Sequence, residues 1–266
     1  MTAPEIALTE PIGADGAPLI VLAHSLGTGP LIWEPVVPLL AKEYRVSLLT
    51  LPGHGVAPVP TDAFTLDELA DVVADRVREL AGTIGTAYFA GVSIGGALAL
   101  TLALRHPDVV TRAASLASAA SLGSSEHWKT RAATVRTQST SALIAASAQA
   151  WFAPESISRE PELTGRILHA LQDTSDEGYA RCAEALATYD LRDRLGEIRI
   201  PVLALGGRQD QVAPEERQDE LVAGIPNARR LMIEDVAHQP PAENGSAVAE
   251  ALLAFFGADA SGGGRA

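Results

Sequence analysis

Gly91-Val92-Ser93-Ile94-Gly95 sets a serine between two glycines in the pattern G-x-S-x-G, and Gly96 adds a third small residue behind it. This pattern suits a sharp strand-to-helix turn, where side chains at the glycine positions would clash and where the serine hydroxyl stands clear of the backbone. A hydroxyl is a weak nucleophile at neutral pH. It needs a base within hydrogen-bond reach, and that base must be oriented by a third group. His238 follows the apolar run Arg229 to Ile233, and Asp210 follows the run Pro201 to Gly206, so both belong on loops at the carboxyl ends of strands. The chain order is then Ser93, Asp210, His238, with Ser93 as nucleophile, His238 as general base and Asp210 as the orienting acid. Asp235 is the rival acid, but it lies on the same short loop as His238 and would have difficulty reaching behind the imidazole.

A serine attack on a carbonyl creates an oxyanion that preorganised N–H groups must meet. The Ile94 amide, directly after the serine, is the first expected donor. The second is expected from His24-Ser25-Leu26-Gly27, with Leu26 favoured over Ser25 and with His24 bracing the loop. Of the other histidines, His54 is read as part of a packed turn in Pro52-Gly53-His54-Gly55 and His106 as a helix-end cap before Pro107. His127 and His169 have no partners at metal-ligand spacing, and no metal site is expected.

These groups need a frame. Leu19 to Ala23 is a short continuous apolar run, and similar runs recur at Arg45 to Leu51, Ala87 to Gly91, Arg112 to Ala117, Pro201 to Gly206 and Arg229 to Ile233. Between most of them lie stretches of helical periodicity, and strands alternating with helices imply an α/β fold with a mostly parallel sheet. The clearest helix follows Thr65, which with Glu68 forms a capping-box pattern. Leu66, Leu69, Val72, Val73, Val77 and Leu80 share one face before Gly82 ends the helix. A second helix starts just after Ser93 and stops near His106-Pro107, and a third runs from about Ser246 to Phe256. Between about Leu122 and Asp190 the rhythm breaks into short helices carrying Trp128 and Trp151, which reads as a helical cap (122–190) inserted into a core made of 1–121 and 191–256. The Gly-rich end, 257–266, has no apolar pattern and reads as a frayed tail.

Composition narrows the function classes. The 266 residues are 47% hydrophobic and 20% charged, enough for a sizeable core. A formal net charge of -13 disfavours nucleic acid and anionic membrane as partners. Met1 to Gly13 lacks the charge and apolar run of a secretory leader, and the longest apolar stretches fall short of the roughly 20 residues a spanning helix needs. With Cys182 as the single cysteine no intrachain disulfide can form. The expectation is a cytoplasmic protein acting on a small molecule.

Taken together, the serine turn, its ordered partners and the interrupted strand-helix alternation resemble the α/β-hydrolase superfamily from Leu19 to Phe256. Within it, Leu22-Ala23-His24-Ser25-Leu26-Gly27, the W-x-x-R-x-x-x-V-R pattern from Trp128 to Arg136, Trp151-Phe152, Gly178 to Cys182 and Asp190-Leu191-Arg192 resemble 3-oxoadipate enol-lactonases. The turn Pro52-Gly53-His54-Gly55, Ile94 and the loop Ala237 to Pro241 depart from that family's usual residues.

The resemblance implies a cofactor-free ring opening of a small lactone through an acyl-enzyme on Ser93. It also implies that a cap cation meets an anionic substrate. Lys129, Arg131, Arg136 and Arg181 are candidates, with Arg131 and Arg136 on the family-like pattern, and Ser25, Trp33, Trp128 and Trp151 are candidate pocket residues. The same triad would also serve another ester or lactone, carbon–carbon bond hydrolysis or perhydrolysis. A binding protein that keeps the fold without catalysis is the contrasting reading, and an intact set of three residues counts against it.

Overall fold

The computed structural model describes residues 3–257. Seven strands form one sheet: β1 (Ala7–Leu8), β2 (Leu19–Ala23), β3 (Arg45–Thr50), β4 (Ala87–Val92), β5 (Val110–Leu116), β6 (Val202–Gly207) and β7 (Ala228–Ile233). Their spatial order is β1-β3-β2-β4-β5-β6-β7, and every pair is parallel except β1 with β3. All six strands expected from apolar runs are present. The two-residue β1 is additional, too short to leave a periodic signal. β5 begins at Val110 and stops before Ala117, whose φ of 46° takes the backbone out of the extended region.

The helices are α1 (Val37–Leu40), α2 (Leu66–Ala81), α3 (Ile94–Arg105), α4 (Ser125–Gln138), α5 (Ile144–Trp151), α6 (Ser156–Arg159), α7 (Pro161–Asp173), α8 (Asp176–Ala187), α9 (Glu215–Gly224), α10 (Pro240–Glu243) and α11 (Gly245–Phe256). α2 starts on the expected capping box: the Glu68 N–H donates to Thr65 Oγ1 at 3.2 Å and the Thr65 N–H donates to Glu68 Oε2 at 2.8 Å. Its Leu66, Leu69, Val73 and Val77 are buried, while Val72 and Leu80 sit half-buried at the edges of that face. Each of the four buried side chains contributes about 1.5–3 kcal/mol by leaving water. α3 has no polar face over Ile94–Ala103, because it lies between the sheet and α2.

α4 to α8 all fall between β5 and β6 in sequence, so the helical region is an insertion into the sheet's chain path. α4 packs chiefly on α8. α8 in turn docks on the core where Gly53 meets Gly178. A Cβ on Gly53 would lie 2.3 Å from the Gly178 Cα, and one on Gly178 would lie 2.5 Å from the Gly53 Cα. Two glycines therefore let backbone touch backbone at this contact. No helix among the described residues is long and apolar enough to cross a membrane. The expected tail lies, from 258 onward, outside the described residues.

Candidate active site

The turn after β4 is built for close approach. Ser93 has φ 56° and ψ -115°, a strained conformation for a residue with a side chain, and α3 starts at the next residue. Two hydrogen bonds hold it there, from the Ser93 N–H to the Leu116 carbonyl at 2.9 Å and from Ser118 Oγ to the Ser93 carbonyl at 2.8 Å. A Cβ on Gly91 would lie 2.2 Å from the Gly95 oxygen, and one on Gly95 would lie 2.8 Å from the Ala23 and His24 oxygens. Those contacts are why the sequence reads G-x-S-x-G here.

Asp210 and His238 meet across the β6 and β7 loops. His238 Nδ1 is 2.9 Å from Asp210 Oδ2, and both side chains are almost fully buried. The other oxygen, Oδ1, accepts the N–H groups of Val212 at 2.8 Å and Ala213 at 3.0 Å. With the carboxylate accepting at Nδ1, that nitrogen carries the ring proton and Nε2 is left as an acceptor. Asp235, the rival acid, is turned elsewhere: its carboxylate lies 3.4 Å from the Gln209 amide and its carbonyl accepts from Arg159 at 3.1 Å.

Ser93 and His238 line one cavity of about 360 Å³ under the inserted helices. Ser25 and Leu26 line it from the loop after β2, and Trp128, Arg131 and Trp151 line it from α4 and α5. Leu122, Ala146, Ala150 and Val212 complete an apolar wall, and no Asp or Glu among the described residues lines the cavity. Ser147 lines it too, and its buried hydroxyl has no hydrogen-bond partner among the described residues.

The loop after β2 is braced by two histidines. His24 Nε2 accepts the Leu51 N–H at 3.1 Å while Nδ1 faces the Ser25 carbonyl at 2.8 Å. His54 Nε2 accepts the Gly27 N–H at 3.0 Å while Nδ1 faces the Pro52 carbonyl at 2.9 Å. Each ring thus has one donor and one acceptor position filled, the pattern of a neutral imidazole. Burial pushes His24 down to about 3, helped by the nearby His54, and pushes His54 down to about 4. Because the Gly27 amide is committed to His54, it is not free to meet an oxyanion. The Leu26 amide has no protein acceptor among the described residues, and the Ile94 amide opens α3, where the first turn has no acceptor within its own helix.

Arg131 reaches the cavity with its Nε donating to the Tyr179 hydroxyl at 2.7 Å and its guanidinium 5.9 Å from that ring's centre. No carboxylate pairs with it among the described residues. His127 also lines the cavity, edge-on to Trp128, and burial followed by the charge of Arg131 holds its imidazole below the ordinary range.

Two expected pocket residues are corrected. Trp33 is fully buried beneath the site, its indole N–H donating to the Ala23 carbonyl at 3.2 Å, so it packs the core and does not reach the cavity. Arg136 does not line the cavity; it faces α8, clamped to Glu177 at 2.7 Å and to Glu184, where its charge is neutralised. Of the other cap cations, Arg181 pairs with the same two glutamates. His106 caps α3 as expected, its backbone N–H donating to the Leu102 carbonyl, and its ring also bonds Asp71 at 2.7 Å.

Two residues near the site gave no warning in the sequence. Gln239 exchanges hydrogen bonds with Ser25 at 2.9 and 3.1 Å, and Glu243 accepts from four donors around the His238 loop. Both are buried polar groups, and polar burial leaves no periodic trace.

Residues 18–244 match the model of a family described as the alpha/beta hydrolase fold. 3-Oxoadipate enol-lactonase 2 of Acinetobacter baylyi is 34% identical over 216 residues, 80% of this chain and 79% of that protein. A pimeloyl-acyl-carrier-protein methyl ester esterase of Vibrio cholerae is 26% identical over 89% of this chain and 93% of its own. Among solved structures, the enol-lactonase from Burkholderia xenovorans superposes with a TM-score of 0.90 at 33% identity, covering 96% of this chain and 97% of that one.

Proposed function

The chain belongs to the α/β-hydrolase fold family, and on that premise we propose that it is a cofactor-free serine hydrolase that opens a small anionic lactone, with 3-oxoadipate enol-lactone as the leading substrate. The observation that carries the reading is the pair His238 Nδ1 to Asp210 Oδ2 at 2.9 Å, with His238 and Ser93 facing one cavity.

In the proposed reaction Ser93 Oγ attacks the lactone carbonyl as His238 Nε2 takes its proton. The carbonyl oxygen becomes an oxyanion held by the Leu26 and Ile94 amides, each such donor being worth about 2.7–4 kcal/mol in the transition state. Collapse breaks the ring C–O bond, and the enolate oxygen leaves with the proton from His238. Water deprotonated by His238 then attacks the acyl-enzyme, and the carboxylate product departs as Ser93 recovers its proton. The released enol can tautomerise to a ketone, which draws the reaction forward.

Arg131 supports an anionic substrate. The whole protein carries a formal charge of -13 and repels anions at long range. Screening over about 8 Å in physiological salt limits that repulsion, and the cavity is lined by an arginine and, among the described residues, by no acid. The substrate carboxylate is placed at the free edge of Arg131, with Trp128 and Trp151 against its apolar carbons. The similarity to enol-lactonases points the same way.

Labelling with a fluorophosphonate probe tests the chemistry. Wild type is expected to label and Ser93→Ala to stay unlabelled; an unlabelled wild type sinks the hydrolase reading. Turnover of the enol lactone tests the substrate. If simple aryl esters are hydrolysed and the lactone is untouched, the substrate assignment is wrong while the chemistry stands.

A further inference from the structure

Glu243 lies at the end of α10, five residues after His238, and is 6% exposed. Its Oε1 accepts the N–H groups of Ala237 and Gln239, each at 3.0 Å. These are the two residues flanking His238. Its Oε2 accepts the Ala153 N–H and the Ser156 hydroxyl, each at 2.7 Å. Ala153 lies between α5 and α6 and Ser156 opens α6, both in the inserted region. Arg159, one turn along α6, donates to Ser156 Oγ at 3.2 Å and to the Asp235 carbonyl at 3.1 Å. A second strap runs alongside, where the His238 N–H donates to the Trp151 carbonyl at 3.1 Å.

We infer that Glu243 is a positioning residue: one buried carboxylate clasps the His238 loop to the inserted helices and so fixes the imidazole in the cavity that Ser93 lines. A carboxylate is acceptor-only, and here each of its oxygens meets two donors. Such a group is costly to bury unless fully satisfied, and fully satisfied it locks the geometry of everything it holds. No other side chain among those described bonds both flanks of His238. Proton transfer tolerates little displacement, so a loop released by a fraction of an ångström loses rate without losing the fold. The clasp also makes the position of the imidazole depend on how the inserted helices are seated.

Glu243→Gln separates this role from plain stability. The amide keeps the volume, but one of its two ends must now present N–H groups to donors. The readout is the rate of Ser93 labelling by a fluorophosphonate, which needs the serine and its base but no recognition of a substrate carboxylate, measured beside kcat and KM at a temperature where circular dichroism shows the variant folded. The expected result is a fall of roughly tenfold or more in labelling rate and in kcat, with KM moving less than about threefold. Ser156→Ala removes a single donor, leaves Oε2 the Ala153 N–H, and is expected to lower the labelling rate by roughly threefold in the same direction. Folded variants that label within twofold of wild type, whatever their melting temperature, overturn the inference. If Glu243→Gln does not fold, Ser156→Ala decides alone, and unchanged labelling overturns it. The inference rests on the proposed serine chemistry, and the two fail differently: an unreactive wild type removes the chemistry, whereas a reactive wild type with equally reactive variants removes only the role of Glu243.

Discussion

The backbone N–H of Gly27 donates to Nε2 of His54 at 3.0 Å, so a histidine from the turn after β3 holds the loop after β2 that carries the proposed oxyanion donor. Ring centres of His54 and His24 lie 5.1 Å apart, and both rings are buried and bonded in the neutral form. Protonating either one would turn an acceptor nitrogen into a donor facing an N–H group.

The consequence is a defined acid sensitivity. Both histidines have folded values, about 3 for His24 and about 4 for His54, below the ordinary 6.5. The unfolded chain therefore binds protons that the folded chain refuses. Their contribution to stability is fully present above pH 6.5, is lost as pH falls below it, and stops falling once the folded values are passed. The slope in that window is about 1.4 kcal/mol per pH unit for each histidine. Urea denaturation between pH 7 and pH 4 should show it. His54→Gln, although less stable at pH 7, should lose about 1.4 kcal/mol per unit less than wild type below pH 6.5; parallel curves would show that His54 is not the source.

Gly178 offers a steric test of how the inserted region is seated. Its added Cβ would meet the Gly53 Cα at 2.5 Å and the Gly53 oxygen at 2.7 Å, and backbone cannot swing aside as a side-chain tip can. Gly178→Ala should cost about 1–3 kcal/mol by overpacking and should raise KM by displacing α8, which carries Tyr179 and through it Arg131. Gly165→Ala, at an exposed position inside α7 where an added Cβ meets nothing within 4 Å, serves as the control: it should leave KM unchanged and raise stability by about 0.5–1 kcal/mol.

Much of this frame is legible in the chain itself. Continuous apolar runs mark a strand buried on both faces, and capping residues such as Thr65 and Glu68 mark a helix start, because both are local physics. The family of the fold follows from the glycines around Ser93 and the order of Asp210 and His238. What is not legible is direction. Arg131 and Arg136 sit five residues apart in one pattern, yet one faces the cavity and the other faces Glu177 and Glu184 on α8. That choice is set by how α4 packs on α8, a tertiary fact. Trp33 misled for a similar reason: a tryptophan near a loop could line a pocket or fill a core, and only the partner of its indole N–H decides.

The two arginines should separate cleanly in kinetics. Arg131→Ala should raise KM for a carboxylate-bearing lactone by roughly tenfold or more, the loss of a charge-assisted contact, with little change for a neutral ester. Arg136→Ala should leave both KM values near wild type and lower stability by about 1 kcal/mol or less, since its ion pairs are partly solvent-exposed. Equal KM effects of Arg131→Ala on the two substrates would remove it as the anion anchor.

Asp210→Asn probes the proposed base most directly, because the surroundings of Asp210 dictate how an amide must sit. Oδ1 receives two backbone N–H groups, from Val212 and Ala213, so the asparagine oxygen is held on that side. Its NH2 group is then turned toward His238 Nδ1, where Asp210 Oδ2 now accepts at 2.9 Å. A donor there forces the ring proton onto Nε2, and an Nε2 that already carries a proton cannot take one from Ser93. The variant should keep its fold, since no backbone partner is lost, and yet lose kcat at neutral pH by roughly 10⁴-fold, the scale seen when an orienting acid becomes an amide. Raising the pH should recover part of the rate as hydroxide ionises the serine without help from the ring. A loss below about tenfold would mean that Asp210 does not set the tautomer of His238.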